Sequence, residues 1–379
     1  MEPNSSTTDK VIPGLNFSCY DCMTQVLTNR GWIYFENLTT NDYVATLVDG
    51  EKLVYEQPSE VQKYLYKGKM YKIATEQVNL CVTPNHNMWV SSGLKAYSLE
   101  KAEDIYGKIK FYQKNVKQYL DESMAKKSFA IPAFGTYERR IVNMDAWLTF
   151  FGICLSYGHI PDDYECNYEY IWFRKNYPKV KDIQVKNELL ASCKELGFII
   201  IDRKINDAQL VNFFKPLCVS RDERYFPSWV WKLTTTQCKK LIHAMMLGGF
   251  QLKYDTLSTK LANGFQRLCL HAGWCSNVEV GQYKTYRLTI IKKLNPKVEF
   301  DEWIDYDDYV HCCTVTSGVI YVRRMNTPVF SGNSRSAQMS TVGIKLRRAD
   351  MPFTENGLVP EIIVNPYFIS NKIDKINSI

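Results

Sequence analysis

Apolar and polar positions alternate in short runs from residue 24 to about residue 90, and turn-forming residues separate the runs. TQVLT, GWIYF, KLVYE, MYKIA and VNLCV carry β-branched and aromatic side chains, while Asn-Arg-Gly, Asp-Gly and Pro-Asn punctuate them. Period-two alternation between such breaks predicts strands joined by tight turns. The same texture returns from Val310 in VHCCTVTSGVIYVRR, where Ser-Gly sits between two strand-like runs. The interior follows a helical period instead. Helices are predicted over 144–155, with Asp145 near the start, and over 185–196, stopping at Gly197. Two more are predicted over 236–247, after FPSWVWKLT, and over 258–272, opening on a capping-type Ser258 and closing at Gly273. Strand-like runs lie between them at 168–174 and 197–203. The pattern predicts a multidomain chain: two β-rich pieces forming one domain, interrupted by an α/β domain with internal duplication. Residues 334–379 are too few to build a core of their own.

Composition narrows the setting. The chain has 379 residues, too many for one comfortable core, and it is 45% hydrophobic and 23% charged. No apolar run has the length of a membrane span, and residues 1–18 lack the apolar stretch of a signal peptide. The 12 cysteines follow no disulfide-like spacing, which fits free thiols in a reducing, intracellular compartment. Whether that compartment is cytoplasmic, nuclear or a viral factory is left open by the sequence. A net charge of +7 permits nucleic-acid binding without requiring it.

The chemistry gathers at two boundaries. Cys19, in Cys19-Tyr-Asp-Cys-Met-Thr24, is a sulfur nucleophile at one end of the β-rich region, and Asn333-Ser334 pairs an amide with a hydroxyl at the other. Thr83-Pro-Asn-His86 supplies a hydroxyl and an imidazole at short spacing. Thiol attack on the Ser18 carbonyl would exchange an amide for a thioester, and a tethered nucleophile gains a large effective molarity. An imidazole at His86 can protonate the leaving amine, Thr83 can hydrogen-bond the scissile peptide, and Asn85 can orient a developing oxyanion. Each element has a plainer reading. Cys19 with Cys22 is half a zinc site without a second half, Thr83-Pro-Asn-His86 is a turn, Gly332-Asn333-Ser334 a surface loop, and Cys312-Cys313 buried strand packing. Their order along the chain is what gives them meaning together.

In that order they resemble an intein, a protein-splicing element of the Hint class, running from Cys19 to Asn333. The resemblance implies an all-β, horseshoe-like Hint fold. It assigns Cys19 and Thr24 to the first block, Thr83 and His86 to the TxxH block, and Cys312 to an assisting position for the first acyl shift. It also implies that Asn333 cyclises, that Ser334 takes the acyl group, and that Ser18 and Ser334 are joined by cis-autocatalysis with no cofactor. Many inteins carry His before the last Asn; here that position is Gly332.

The interior, from about residue 127 to 278, resembles LAGLIDADG homing endonucleases, whose two pseudosymmetric αββ halves each end a motif helix on a metal-binding acid. The matching runs are Trp147 to Gly158 and Leu241 to Gly249. Where acids are expected stand Tyr157 and Gly248, so the resemblance implies a fold that has lost DNA cleavage; magnesium would matter only to an active enzyme. Asp162, Asp163 and Asp255 are displaced from those places. Tyr168, Tyr170, Trp172, Arg174 and Lys175 form a basic-aromatic run that suits DNA contact, and sheet packing or a solvated face accounts for it equally well.

The flanks resemble the second-largest subunit of multisubunit DNA-directed RNA polymerases, chiefly through Asp350-Met-Pro-Phe-Thr-Glu-Asn-Gly357, Pro360 and Asn365-Pro366. Departures include Met339 in place of a lysine and Tyr367 in place of a histidine. The expected division is 1–18 as N-terminal flank, 19–126 and 281–333 as Hint, 127–280 as endonuclease-like insertion, and 334–379 as C-terminal flank. Expected partners are DNA and, for working flanks, nucleic acid and other polymerase subunits, with no membrane. The alternatives are an active, magnesium-dependent homing endonuclease and a DNA-binding relic that does not splice.

Overall fold

The computed structural model describes residues 18–93, 95–161, 170–173, 180–218, 220–247, 252–333, 347, 350–353 and 359–360. The two β-rich pieces meet through their longest strands. Glu60–Ala74 pairs antiparallel with Glu302–Thr314 from Glu60↔Thr314 to Lys72↔Glu302. A slip by one residue would turn every side chain to the opposite face, and charge fixes this register. Lys67–Asp307 (2.5 Å), Lys69–Asp305 (2.8 Å) and Lys72–Glu302 (2.8 Å) are all directly opposed pairs. Such exposed pairs add little stability individually. Their value is in rejecting the wrong pairing.

These two strands close a barrel with Tyr20–Asp21 and Asn79–Val82. A six-stranded sheet lies beside it in the order Thr327–Gly332, Val319–Arg324, Gln25–Thr28, Val44–Val48, Lys52–Glu56, with Gly31–Tyr34 paired to Gln25–Thr28. Its hairpins use paired left-handed residues, which match the right-handed twist of the flanking strands. Asp49 and Gly50 have φ of 52° and 70°, and Met325 and Asn326 have 47° and 61°. The Asp-Gly turn is visible in the sequence; the Met-Asn turn is not.

Six α-helices occur among the described residues: α1 (Ala102–Ile105), α2 (Met144–Tyr157), α3 (Val180–Leu196), α4 (Ala208–Cys218), α5 (Thr235–Met246) and α6 (Thr259–His271). All four expected helices form within a few residues of their predicted ends. Asn143 caps α2 by accepting from the Asp145 and Ala146 amides, and Ser258 caps α6 by accepting from the Leu261 amide. Helices α2 and α5 cross closely because Gly152 lies between them: a Cβ there would come 2.7 Å from the Ala244 Cβ. Each of these helices is followed by a three-stranded antiparallel sheet. The first runs in chain order, Gly158–His159, Ile171–Phe173, Lys204–Ile205; in the second, Lys253–Thr256, Tyr286–Ile290, Ser276–Val280, the last strand lies in the middle. The duplication is therefore partial. Residues 197–203 form no strand of their own; of the other expected run, residues 170–173 are described, and Ile171–Phe173 is a strand.

The cores separate along the chain. One draws on Ile131 through Ile290; another draws on Tyr20–Tyr112 together with Val298–Val329. A third cluster joins them, placing Leu270 of α6 against Leu27, Trp32, Tyr321 and Phe330. Polar contacts reinforce the seam. Arg323, only 4% exposed, donates to Gln25 Oε1 (2.7 Å), Asn263 Oδ1 (2.8 Å) and Gln266 Oε1 (2.5 Å). Arg267 donates to the Asn29 carbonyl at 2.9 Å and lies over the Trp231 ring at 4.2 Å. Tyr55 Oη meets His271 Nε2 at 2.8 Å. Residues Met1–Ser336 form one compact unit and Ala337–Ile379 another; in the latter the Asp350 amide donates to the Arg347 carbonyl at 2.9 Å. Among the described residues no helix is long and apolar enough to cross a membrane.

Candidate functional site

Strand register alone places Cys19. Tyr20 pairs with His311 on one side and Val82 on the other. Carried one residue back, the same antiparallel registers set Cys19 opposite Cys312 and Thr83. The contacts agree. The Cys19 amide donates to Thr83 Oγ1 at 3.0 Å, and the Thr83 amide donates to the Cys19 carbonyl at 3.0 Å. Cys19 and Cys312 are buried in one cluster with Met70, Cys81 and Val310. Burial first, then the Cys312 thiol against it, push the Cys19 thiol well above the ordinary thiol range. At rest this sulfur carries its proton.

Thr83-Pro-Asn-His86 is a turn closed by the His86 amide donating to the Thr83 carbonyl at 3.0 Å. It delivers a fully buried imidazole edge-on to the Tyr20 ring, 4.4 Å between centroids. His86 Nδ1 lies 3.3 Å from Ser18 Oγ and Nε2 lies 3.2 Å from Ser331 Oγ. The Asn87 amide also donates to Ser18 Oγ at 3.2 Å, and with a hydroxyl on each side the ring can hold its one proton on either nitrogen. Burial lowers the His86 pKa to about 3, so the ring is neutral. An imidazole near 6.5 in the unfolded chain then binds a proton between about pH 6.5 and 3 that the folded chain refuses. Its contribution to stability is complete above that window and is lost as pH falls through it; His271 and His311 are lowered in the same direction, His271 well below its ordinary value. The urea midpoint is expected to drop between pH 7.5 and pH 5, and a flat or rising midpoint over that interval would contradict the neutral assignment.

The far boundary arrives on the last strand, Thr327–Gly332. Asn333 is fully buried; its amide donates to the Gly318 carbonyl at 3.0 Å and its Nδ2 points to Cys313 Sγ at 3.9 Å. Its carbonyl oxygen accepts from Asn87 Nδ2 at 3.2 Å, and the neighbouring Gly332 carbonyl accepts from the Tyr20 hydroxyl. Position 332 admits no side chain, because a Cβ there would overlap the Asn87 carbonyl oxygen and lie 2.8 Å from Leu99 Cδ2. Two boundaries remote in sequence thus share one buried site, bridged by His86 and Tyr20. A buried thiol, a neutral imidazole and two fixed backbone carbonyls are groups suited to acyl transfer.

Of the residues singled out from sequence, Cys19, Thr83, His86, Cys312 and Asn333 come together. Asn85 is half-buried on the same turn, and Thr24 is buried, donating to Asp21 Oδ1 at 2.6 Å. Ser334 lies outside the described residues, as do Gly248, Asp162, Asp163, Tyr168, Arg174 and Lys175. Tyr20, Asn87, Ser331 and the hydroxyl of Ser18 escaped the sequence reading. Each meets a partner brought in by strand pairing, and only adjacency to Cys19, His86 and Asn333 hinted at them.

In the helical region Tyr157 is half-buried against the core at the end of α2. The Arg224 guanidinium covers that helix end, donating to the carbonyls of Leu155 (2.6 Å), Ser156 (2.9 Å) and Gly158 (2.5 Å). Asp255 is engaged by Arg287 at 3.0 Å. Tyr170 receives Lys204 over its ring at 4.3 Å, and Trp172 pairs with His159 and Lys204 across its sheet. Among the described residues no three His, Cys, Asp or Glu side chains gather to hold a metal ion.

Residues 316–370 match the family RNA polymerase Rpb2, domain 6. The C-terminal part of the chain is accordingly an RNA polymerase beta-subunit-like fragment. The chain is 29% identical over 400 residues to the DNA-directed RNA polymerase subunit beta C-terminal section of Stigeoclonium helveticum, covering 83% of this chain and 36% of that protein. It is 33% identical over 296 residues to an ATP-dependent Clp protease proteolytic subunit of Chlamydomonas moewusii, covering 69% of this chain and 28% of that protein. The chain spans about a third or less of these curated relatives. A solved split intein, AceL NrdHF class 3, overlaps 33% of this chain and 71% of its own at 18% identity and a TM-score of 0.23, too loose a fit to carry an argument.

Proposed function

We propose that Cys19–Asn333 excises itself and joins Ser18 to Ser334, within a fragment of an RNA polymerase second-largest subunit. The observation that carries this reading is the imidazole of His86, in hydrogen-bond reach of Ser18 on one boundary and Ser331 beside the other. Cys19 Sγ attacks the Ser18 carbonyl carbon; the carbon–sulfur bond forms, the bond to the Cys19 nitrogen breaks, and the thiol proton passes to that nitrogen. Neutral His86 is suited to relay it, accepting before it donates, rather than starting as an imidazolium acid. Thr83 holds the departing nitrogen in line. Ser334 then displaces sulfur and its hydroxyl proton restores the thiol. Asn333 Nδ2 attacks its own carbonyl, releasing the Ser334 amine with one proton and closing a succinimide. That amine attacks the ester and regenerates a peptide bond. No water, oxidant or cofactor is consumed.

Two further observations favour an inserted element. A polymerase-section relative and a protease-subunit relative both align with this chain, and the flanks are too short to account for an alignment covering 69% of it. We read a splicing domain of residues 19–126 and 281–333 around an insertion of residues 127–280. The separate cores support such a division but carry the insertion's side past residue 280, since the strand Tyr286–Ile290 packs with the helical core. We read the insertion as a homing-endonuclease fold without cleavage, with Tyr157 where an acid would bind metal and Arg224 occupying the same helix end. A DNA role for it rests on its resemblance alone. Nucleic acid and other polymerase subunits are the expected partners of a working flank, and a free Cys19 thiol calls for a reducing compartment.

Intact mass after expression in reducing buffer tests the reading. The expected products are an excised piece ending at Asn333, lighter by one water than the same piece with a free C-terminal carboxyl because it ends in a succinimide, and a ligated flank. A single unprocessed mass after prolonged incubation, with Cys19 free to alkylation under denaturing conditions, would overturn it.

A further inference from the structure

Cyclisation of Asn333 needs its carbonyl polarised, since negative charge develops on that oxygen as the side-chain amide adds to the carbon. Residue 332 cannot help, because its backbone is pressed against the Asn87 carbonyl and leaves no space for a Cβ. The group that reaches the oxygen is the side-chain amide of Asn87, with Nδ2 at 3.2 Å. Its orientation is dictated chemically: a carbonyl oxygen facing the Asn333 oxygen would place two acceptors together, so the NH2 end must point inward. The same residue touches the other boundary by a different group, its backbone amide donating to Ser18 Oγ at 3.2 Å.

We infer that Asn87 is a catalytic residue of the final cleavage, donating to the Asn333 carbonyl oxygen as it becomes an oxyanion. Nδ2 of Asn333 bonds to its own backbone carbon, and the former carbonyl oxygen takes the charge within reach of the Asn87 amide. Collapse breaks the bond to the Ser334 nitrogen, which leaves with the proton lost by the attacking amide. The inference rests on the splicing reading and adds a residue to it. It also divides the labour of one residue: the backbone of Asn87 serves the first junction and its side chain the second.

The two functions separate on substitution. Asn87→Ala removes the side-chain donor but keeps the backbone amide, while Asn87→Asp preserves shape and turns a donor into an acceptor. In a Ser334→Ala background, thiol-induced release of residues 1–18 reports the Cys19 step. In a Cys19→Ala background, cleavage after Asn333 reports the Asn step alone. Both Asn87 variants are expected to slow cleavage after Asn333 by about 100-fold, the effect of removing one oxyanion donor, with Asp the slower. Thiol-induced release should stay within about threefold of the parent, as expected when only the side-chain contact is lost. Equal slowing of both reactions, or cleavage after Asn333 at the parent rate, would overturn the inference while leaving splicing intact. A parent chain that cleaves at neither junction would overturn the splicing reading and this inference together.

Discussion

Cys19→Ala is expected to eliminate both the ligated flank and thiol-induced release of residues 1–18, a loss of at least about 10³-fold in the first step. The reason is chemical. Removing the nucleophile removes the route through a thioester, whereas the fold has little at stake in one sulfur. Cys19 is 1% exposed beside Met70, Cys81, Val310 and Cys312, so the substitution leaves a small void costing about 1 kcal/mol. Circular dichroism and the urea midpoint should therefore stay near those of the parent. Slow cleavage after Asn333 should persist, because that step uses its own amide and Asn87. Mass spectra of a time course decide the matter: ligated product from the Ala variant would show that the thiol is not the entry point.

Asn333→Ala is expected to stop the chain at the opposite end of the pathway. With no side-chain amide to attack, release of the C-terminal flank should fall below detection, again by at least about 10³-fold. The branched ester formed after Ser334 displaces sulfur is an isomer of the precursor, so intact mass cannot distinguish them. Two free amino termini can, one at Met1 and one at Cys19, and mild base should release the first flank by hydrolysing the ester. Truncation removes the Nδ2 contact with Cys313 but keeps the backbone bond to Gly318 that positions the residue. Release of the C-terminal flank at the parent rate would eliminate Asn333 as the closing residue.

Much of this was legible because strand turns and reactive side chains leave local marks. Asp49-Gly50 announced its hairpin, Ser258 and Gly273 framed α6, and Cys19, Thr83, His86 and Asn333 stand out by type and order. The strand Glu60–Ala74 was read only in part, as MYKIA, because its outer half is mostly half-buried rather than alternately buried and exposed, and the alternation fades through Tyr64, Tyr66 and Gly68. Helix α4 went unread, with Pro216 inside it masking the period. The contacts of Ser18, Tyr20, Asn87 and Ser331 depend on register between strands far apart in sequence, which no local window contains. The protonation of His86 was equally hidden. Its residue type suggests a titrating acid near neutrality, and only complete burial reveals a ring that stays neutral.

The seam between the two cores has a consequence for the history of the chain. Arg323 reaches from the β-rich part into Asn263 and Gln266, and Leu270 fills a hollow beside Trp32 and Phe330. If the inserted segment derives from a nuclease, as proposed, point changes at its acids would leave this seam untouched, since none of these contacts involves an acidic side chain. Losing the whole inserted segment would instead open an apolar wound in the element that must fold in order to leave its host. On the proposed reading, cutting could drift away in such a lineage while the segment itself stays, wedged and bridged into its neighbour.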